Sequence, residues 1–269
     1  MSPRSAGLFS ALLFAVLTWQ VAAHGPLRTL DERLGHALAA GSIPAGPAEF
    51  FADLGNTAVT LPVLLVVMVW TGCQGWRGQQ ERQGWRGRLG WRGGDQGGGD
   101  AAEGTAPVRW WLPPVAAGLA LAVVPALVVP LKLWLARPGP PQMAGGAPDG
   151  FYPSGHGATA AVAYGLAGLL LTRGPGRLRI GDGAAARLHT PAVKVTVIVT
   201  VAVALLNVGV GLGLVRRGYH WPLDVLGSWC LAGVLLAVWC AVCDRWSGGG
   251  GRAASQGTGT SGTSGPDRS

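Results

Sequence analysis

Residues 111–132 read WLPPVAAGLALAVVPALVVPLK. The stretch contains no Asp or Glu, and its one basic residue, Lys132, is the last residue of the run. A helix needs about 20 apolar residues to cross a hydrocarbon layer about 30 Å thick. The stretch therefore predicts a membrane-spanning helix that ends beside a cation.

The rest of the chain repeats this pattern. Of its 269 residues, 49% are hydrophobic and only 13% are charged, which is too few charges for an ordinary soluble globule. We therefore predict an all-α fold, a polytopic membrane helical bundle with about six transmembrane helices. The other five apolar runs, none of which contains Asp or Glu, cover residues 6–23, 57–73, 157–172, 191–214 and 225–243.

The first run has two interpretations. Arg4, an apolar stretch and the small residues of VAAHG (21–25) are typical of a signal anchor, and also of a secretory signal that is cleaved. Residue 24 lies outside the membrane in either case.

The orientation follows from the basic residues. Most of the 21 Lys and Arg residues fall between alternate runs in the segments that are cytoplasmic if the N-terminus is inside. This predicts a multi-pass protein of the cell membrane with both termini cytoplasmic. The net charge of +8 is spread over short segments between apolar runs, so it does not indicate nucleic-acid binding.

The predicted organisation has three regions, the second of which contains a long loop. Residues 1–56 hold the first span and an outer loop with two short amphipathic helices, and residues 57–246 form the membrane core. Within that core, a repeated GWRG followed by GGDQGGGD predicts a low-complexity cytoplasmic loop at 74–106. The Gly-, Ser- and Thr-rich residues 247–269 predict a disordered tail.

The predicted topology places three polar segments on the same, outer side of the membrane. They are KLWLARPGPP (132–141), YPSGH (152–156) and RRGYHWPLD (216–224). Segments so far apart in the chain, all rich in groups that bind anions or transfer protons, predict a single site at the outer face.

Residue chemistry suggests a phosphate site. Ser154 and Gly155 lie at a predicted helix start, where backbone N–H groups and the helix dipole attract an anion. Lys132 and Arg137 add positive charge, and Arg can bind phosphate oxygens through two nitrogens.

Two histidines supply reactive groups. His220 and Asp224 share a face if they begin the last helix, so the carboxylate can hold one ring N–H and leave the other nitrogen as a nucleophile. His156 can protonate a leaving oxygen and then activate water.

These motifs resemble those of the type 2 phosphatidic acid phosphatase (PAP2) superfamily, in its membrane lipid phosphatase branch, over roughly residues 57–243. The PSGH motif is complete at 153–156, and His-x-x-x-Asp is matched by His220 and Asp224. The first motif begins at Lys132, and Arg137 matches an additional Arg often found inside it.

The sequence departs from the family at two arginines. The final Arg of the first motif falls on Gly139, and the Ser-Arg before the family's histidine falls on Gly213 and Leu214. We expect Arg216 or Arg217 to substitute in binding the phosphoryl group.

The resemblance implies a membrane phosphatase that acts on a lipid phosphate or diphosphate, such as undecaprenyl diphosphate or phosphatidic acid. His220 would form a phosphohistidine, Asp224 would orient it and His156 would be the general acid. The implied reaction uses no metal and no cofactor. Two alternatives stay open, a phosphotransferase to an acceptor alcohol and a catalytically weakened protein that binds lipid phosphate. The oligomeric state is not readable from the sequence.

Overall fold

The computed structural model describes residues 2–42, 44–90, 109–143, 150–173 and 191–248. These residues form eight α-helices and one short 3₁₀ turn, without a β-strand among them, which confirms the all-α prediction. The elements are α1 (Pro3–Ala22), α2 (Pro26–Ala39), α3 (Ala45–Asp53), α4 (Thr57–Gly90), α5 (Leu112–Leu135), the 3₁₀ turn (Pro141–Met143), α6 (Gly155–Arg173), α7 (Pro191–Arg216) and α8 (Pro222–Gly248).

Within the described residues, five helices are long and apolar enough to cross a membrane. They are α1, α5 and the parts of α4, α7 and α8 at Thr57–Glu81, Val193–Arg216 and Pro222–Trp246. Large apolar side chains on these helices face outward, as Leu8 and Leu133 do with 68% and 75% of their surface exposed. Such exposure is expected where lipid replaces water as the solvent.

Helix α6, which contains the predicted span 157–172, lies at the centre of the bundle and packs against α4, α5, α7 and α8. Its glycines allow close packing, since a Cβ added at Gly165 would lie 2.7 Å from Leu236 Cδ1. Most side chains of α6 between Gly157 and Leu170 are buried, because this helix touches other helices instead of lipid.

The two amphipathic helices predicted in the outer loop are α2 and α3. Helix α3 packs on α7, and α2 packs on both α7 and α8. A Cβ added at Gly35 would lie 2.6 Å from the Trp221 ring, so α2 approaches the start of α8 closely. This contact brings Asp31, on α2, into the interior.

The predicted cytoplasmic loop at 74–106 is wrong in its first part, because α4 continues as a helix to Gly90. Helix α4 has 34 residues and is about 51 Å long, which exceeds the thickness of the hydrocarbon layer. Its last turns therefore need not be apolar, although they remain helical. Residues 91–106 lie outside the described residues. Helix α8 likewise includes Ser247 and Gly248, and the rest of the predicted tail, 249–269, is not described.

Candidate active site

The three polar segments meet at one end of the bundle, as the sequence predicted. The carbonyl of Arg137 accepts hydrogen bonds of 3.0 Å from the backbone N–H groups of Gly150 and Phe151. The N–H of Ser154 donates to the carbonyl of Asp224 at 2.9 Å. Backbone hydrogen bonds therefore join the segment after α5, the segment before α6 and the first turn of α8.

Gly150 is required where it stands. Its φ of 115° lies in the region that favours glycine. A Cβ at this position would also lie 2.9 Å from the Lys132 carbonyl oxygen. The glycine thus lets residues 150–151 run alongside the end of α5, where Lys132 is placed.

His220 and Asp224 form the predicted pair. Nδ1 of His220 lies 3.4 Å from Oδ2 of Asp224, and this oxygen also accepts the Trp221 N–H at 3.0 Å. Asp224 is fully buried and His220 nearly so. Because Nδ1 faces the carboxylate, Nε2 is the nitrogen left for the cavity that His220 borders.

Arg137 does not lie where the sequence predicted. Its Nη1 is 2.6 Å from Asp224 Oδ1, and its Nη2 is 2.6 Å from Asp31 Oδ2. The side chain is 1% exposed and does not border the cavity. Both terminal nitrogens are occupied by carboxylates, so Arg137 stands behind Asp224 instead of binding phosphate directly.

Ser154 directly precedes α6, at the helix start where the sequence placed it. Its Oγ is completely buried and accepts the Gly157 N–H at 3.1 Å, which makes it the N-cap of α6. Gly155 borders an apolar groove beside His156, and a Cβ added there would meet open space. The helix start is therefore open to a ligand through the backbone of Gly155, with Ser154 holding the helix end in shape.

His156 lies at the start of α6 and borders the same cavity as His220. Its Nε2 is 2.8 Å from Oδ1 of Asn56, which precedes α4. The His156 ring is accessible, but the residues around it reduce its hydration. This loss of hydration lowers the pKa of His156 below the ordinary value for histidine. His220 and Lys132 lower the pKa further, and Asp53 opposes them.

These side chains surround a cavity of about 530 Å³, which we call the chamber. Lys132, His156 and His220 supply its basic groups, and Asp53, Asn56 and Tyr219 add polar ones. A second cavity of about 560 Å³, which we call the groove, runs between α4, α5 and α6. Lys132 and His156 border both the chamber and the groove, so the two spaces meet at these residues.

Arg216 and Arg217 do not take the place of the missing arginines. Arg216 donates to the Ala39 carbonyl, and Arg217 pairs with Glu49 on α3. Neither arginine borders the chamber, whereas Leu214 does. The expectation that Arg216 or Arg217 binds the phosphoryl group is therefore wrong. Arg216 contacts α2 and Arg217 contacts α3 instead.

The position of the other missing arginine is closed by an aromatic ring. A Cβ added at Gly139 would lie 2.5 Å from Cε2 and Cζ of Phe151. The Phe151 ring borders the chamber and meets the His220 ring edge-on, with centroids 5.7 Å apart. Phe151 thus fills the space next to Gly139 and packs against the predicted nucleophile.

Sequence reasoning missed five residues at or behind the chamber, namely Asp31, Asp53, Asn56, Phe151 and Tyr219. Tyr219 Oη donates to Glu49 Oε1 at 2.9 Å, which links the chamber wall to α3. For Asp31 and Asp53 the only local signal was the amphipathic character of residues 27–41 and 46–55, which predicted helices but not their partners.

The acidic groups do not form a metal site in the described ranges. There, no group of three or more His, Cys, Asp or Glu side chains is arranged to hold a metal ion. The Asp31 and Asp224 carboxylates share Arg137 as their counter-ion.

Comparison with known proteins agrees with this architecture. A model of the PAP2 superfamily matches residues 113–247. The fold is similar to the crystal structure of a transmembrane PAP2-type phosphatidylglycerolphosphate phosphatase from Bacillus subtilis. The two chains have a TM-score of 0.63 and 18% sequence identity, and the match covers 89% of this chain and 96% of that one. No curated protein matches the sequence. The family match spans half of the chain and includes Lys132, the PSGH segment, His220 and Asp224, and the protein is therefore a member of the PAP2 superfamily.

Proposed function

We propose that this protein is a membrane phosphatase that hydrolyses a lipid phosphate or diphosphate through a phosphohistidine intermediate. The observation that carries the proposal is the junction of the chamber and the groove at Lys132 and His156. A lipid phosphate has the same division, a charged headgroup joined to a long apolar tail.

The groove is suited to the tail. Its walls come from three helices and consist mainly of aliphatic side chains, including Leu61, Leu65 and Val128. Burial of a hydrocarbon chain there is favourable in proportion to the apolar area removed from water, by roughly 25 cal/mol per Å². The tail would leave the phosphate at the chamber, near Lys132 and the N-terminus of α6.

The chamber offers the groups for two successive displacements. Nε2 of His220 attacks phosphorus, the N–P bond forms, and the bond to the lipid oxygen breaks. His156 donates the proton that this oxygen receives. Water then attacks the phosphohistidine, gives its proton to His156, and releases phosphate from His220.

Lys132 and Asp224 support these steps. The Lys132 ammonium stabilises the charge that builds on the phosphoryl oxygens, together with the backbone N–H groups at the start of α6. Asp224 holds Nδ1 of His220 and stabilises the cation that the ring carries after attack. The buried Arg137 keeps this carboxylate in place.

The test is phosphate release from purified protein in detergent with EDTA. Substrates are isoprenoid diphosphates, phosphatidic acid and phosphatidylglycerol phosphate. We expect His220→Ala to lower turnover by roughly 10³-fold or more, because the nucleophile is lost. His24→Ala is the matched control, since His24 lies at the turn between α1 and α2.

Three results would contradict the proposal. Turnover by His220→Ala close to that of the natural protein would remove His220 from the reaction. Transfer of phosphate to an added alcohol in preference to water would identify a phosphotransferase. Binding of the lipids without release of phosphate would identify a binding protein, which the absence of Arg at positions 139 and 214 makes the most specific competitor.

A further inference from the structure

Asn56 connects His156 to a carboxylate. Nδ2 of Asn56 is 3.0 Å from Oδ1 of Asp53, and Oδ1 of Asn56 is 2.8 Å from Nε2 of His156. A carboxylate oxygen only accepts, so the amide NH₂ faces Asp53 and the amide oxygen faces His156. An amide oxygen also only accepts, and Nε2 of His156 must therefore carry the hydrogen.

The backbone around Asn56 is fixed by the start of α4. Its carbonyl accepts hydrogen bonds of 2.9 Å from the N–H groups of Val59 and Thr60, and a further one of 3.1 Å from Thr60 Oγ1. Asn56 therefore cannot shift without disturbing the first turn of a membrane-spanning helix.

The turn before α4 also lies close to His156. A Cβ added at Gly55 would be 3.3 Å from the His156 Cβ and 3.0 Å from Val210 Cγ1. Glycine at this position lets the turn pack closely against both α6 and α7. The placement of the Asn56 amide beside the imidazole is thus set by packing as well as by its hydrogen bonds.

We infer that Asn56 is a positioning residue that fixes the tautomer of His156, so that Nδ1 is the atom that moves the proton in the reaction. The inference rests on the proposed function. With Nε2–H directed to Asn56, the proton given to the leaving oxygen comes from Nδ1, and the proton taken from water returns to Nδ1. Asn56 itself forms no bond with the substrate in this scheme.

Several charged or titratable groups face His156 and set the conditions for this transfer. Lys132 approaches from α5, His220 from the segment before α8, and Asp53 from α3. Tyr219 borders the same chamber. In the absence of substrate, Lys132 and His220 disfavour a charged His156, whereas a bound phosphate dianion would favour it. Asn56 keeps Nε2–H in place in both protonation states.

The experiment compares two substrates whose leaving groups differ. An alkyl monophosphate such as octyl phosphate releases a strongly basic alkoxide that needs a proton, whereas p-nitrophenyl phosphate releases a phenolate that departs without one. The measured quantity is kcat/KM, which includes only the steps up to the first irreversible bond cleavage. Asn56→Ala is compared with Asn207→Ala, because Asn207 donates to the Val203 carbonyl within α7 and does not border the chamber.

We expect Asn56→Ala to lower kcat/KM for octyl phosphate by roughly 10- to 100-fold, a part of the effect of general acid catalysis. The loss for p-nitrophenyl phosphate should be less than about threefold, because that reaction needs little protonation. Asn207→Ala should leave both values unchanged. Asn56→Asp combined with Asp53→Asn keeps a hydrogen bond between the two side chains and places the carboxylate directly beside Nε2 of His156, so this double variant should restore part of the activity and move the falling limb of the pH profile to higher pH.

The outcomes separate this inference from the proposed function. Equal losses on both substrates, a change in KM alone, or an unchanged pH profile in the double variant with Asp53→Asn and Asn56→Asp would overturn the role given to Asn56. If the natural protein releases phosphate from none of the substrates, neither octyl phosphate, p-nitrophenyl phosphate nor the lipid phosphates, the proposed function fails, whatever the Asn56 variants do.

Discussion

Nη1 of Arg137 lies 2.6 Å from Oδ1 of Asp224, inside the protein and behind the predicted nucleophile. The other terminal nitrogen is 2.6 Å from Oδ2 of Asp31, and Oδ1 of Asp31 accepts the Leu223 N–H at 2.7 Å. The Arg137 guanidinium thus joins α2, through Asp31, to the first turn of α8, through Asp224. The arrangement makes the position of His220 depend on α2, which itself does not border the chamber.

Removing Arg137 should destabilise the protein and inactivate it together. Arg137→Ala leaves two buried carboxylates without their counter-ion, and such a loss typically costs about 3–5 kcal/mol. We expect a clear fall in the thermal unfolding temperature in detergent, with phosphate release lost because Asp224 no longer holds His220. Asp31→Asn should have a smaller effect of the same kind, since the amide oxygen can still accept one of the two hydrogen bonds that the carboxylate accepts.

A different outcome would give Arg137 a different role. If Arg137→Ala unfolds at the same temperature as the natural protein and only KM rises, Arg137 contacts the substrate directly. The distances to Asp31 and Asp224 would then describe a state that changes on binding.

Gly139 is predicted to be intolerant of even one methyl group. In Gly139→Ala the new Cβ would lie 2.5 Å from the Phe151 ring and push that ring toward His220. Overpacking of this kind costs about 1–3 kcal/mol, so the unfolding temperature and phosphate release should both fall. Phe151→Leu in the same chain should recover part of the stability.

The control is Gly46→Ala, because a Cβ there meets nothing within 4 Å. Equal stability of Gly139→Ala and Gly46→Ala would mean that Phe151 moves away freely, and that its ring does not define the wall of the chamber.

The sequence was sufficient for those features that depend on local pattern. The apolar runs predicted the bundle, because a segment that faces lipid must be apolar along its whole length. Lys132, His156, His220 and Asp224 were predicted to lie near one another because each lies at the end of a predicted span on the same side, and the structure places them so. The predicted span 157–172 was different from the others only in its many small residues, which is the property that lets α6 lie at the centre.

The features that were missed depend on contacts between distant residues. Asp31 and Arg137 are 106 positions apart, and Asn56 and His156 are 100 apart. Asp31 lies in an amphipathic stretch where an acidic residue ordinarily faces water, so nothing in its neighbourhood predicted burial. Arg216 and Arg217 were misplaced for the same reason, because the positions of Ala39 and Glu49 relative to α7 cannot be read from the sequence.

The charge on Asp53 should tune the acidity of His156. Burial, His220 and Lys132 lower the pKa of His156 below its ordinary value of 6.5, and Asp53 raises it. If His156 acts as an acid, kcat/KM for an alkyl phosphate falls as pH rises through this pKa, because the protonated form is lost. Asp53→Asn removes the opposing charge, so the pKa drops further and the falling limb should move to lower pH.

The matched control is Asp244→Asn, whose carboxylate pairs with Arg173 at 3.5 Å and does not border the chamber. It should leave the pH profile in place. A limb that moves to higher pH in Asp53→Asn would contradict the assignment of the titrating group to His156.

The depth of the groove should set a dependence on tail length. Gly118 borders the groove 14 residues before Lys132 on α5, which corresponds to about 21 Å along the helix. In Gly118→Leu the new side chain would fill the groove at that depth, since a Cβ alone would already lie 3.1 Å from Met68 Cε. Substrates with long tails should lose roughly tenfold in kcat/KM, about 1.4 kcal/mol, because a part of the tail is displaced from its apolar site. Short-chain phosphates that do not reach Gly118 should react as before. Gly72→Leu is the control, because Gly72 lies outside the groove and a Cβ there is 4.0 Å from Trp110. If Gly118→Leu affects short and long substrates equally, the groove does not hold the tail, and the lipid must reach Lys132 by another route.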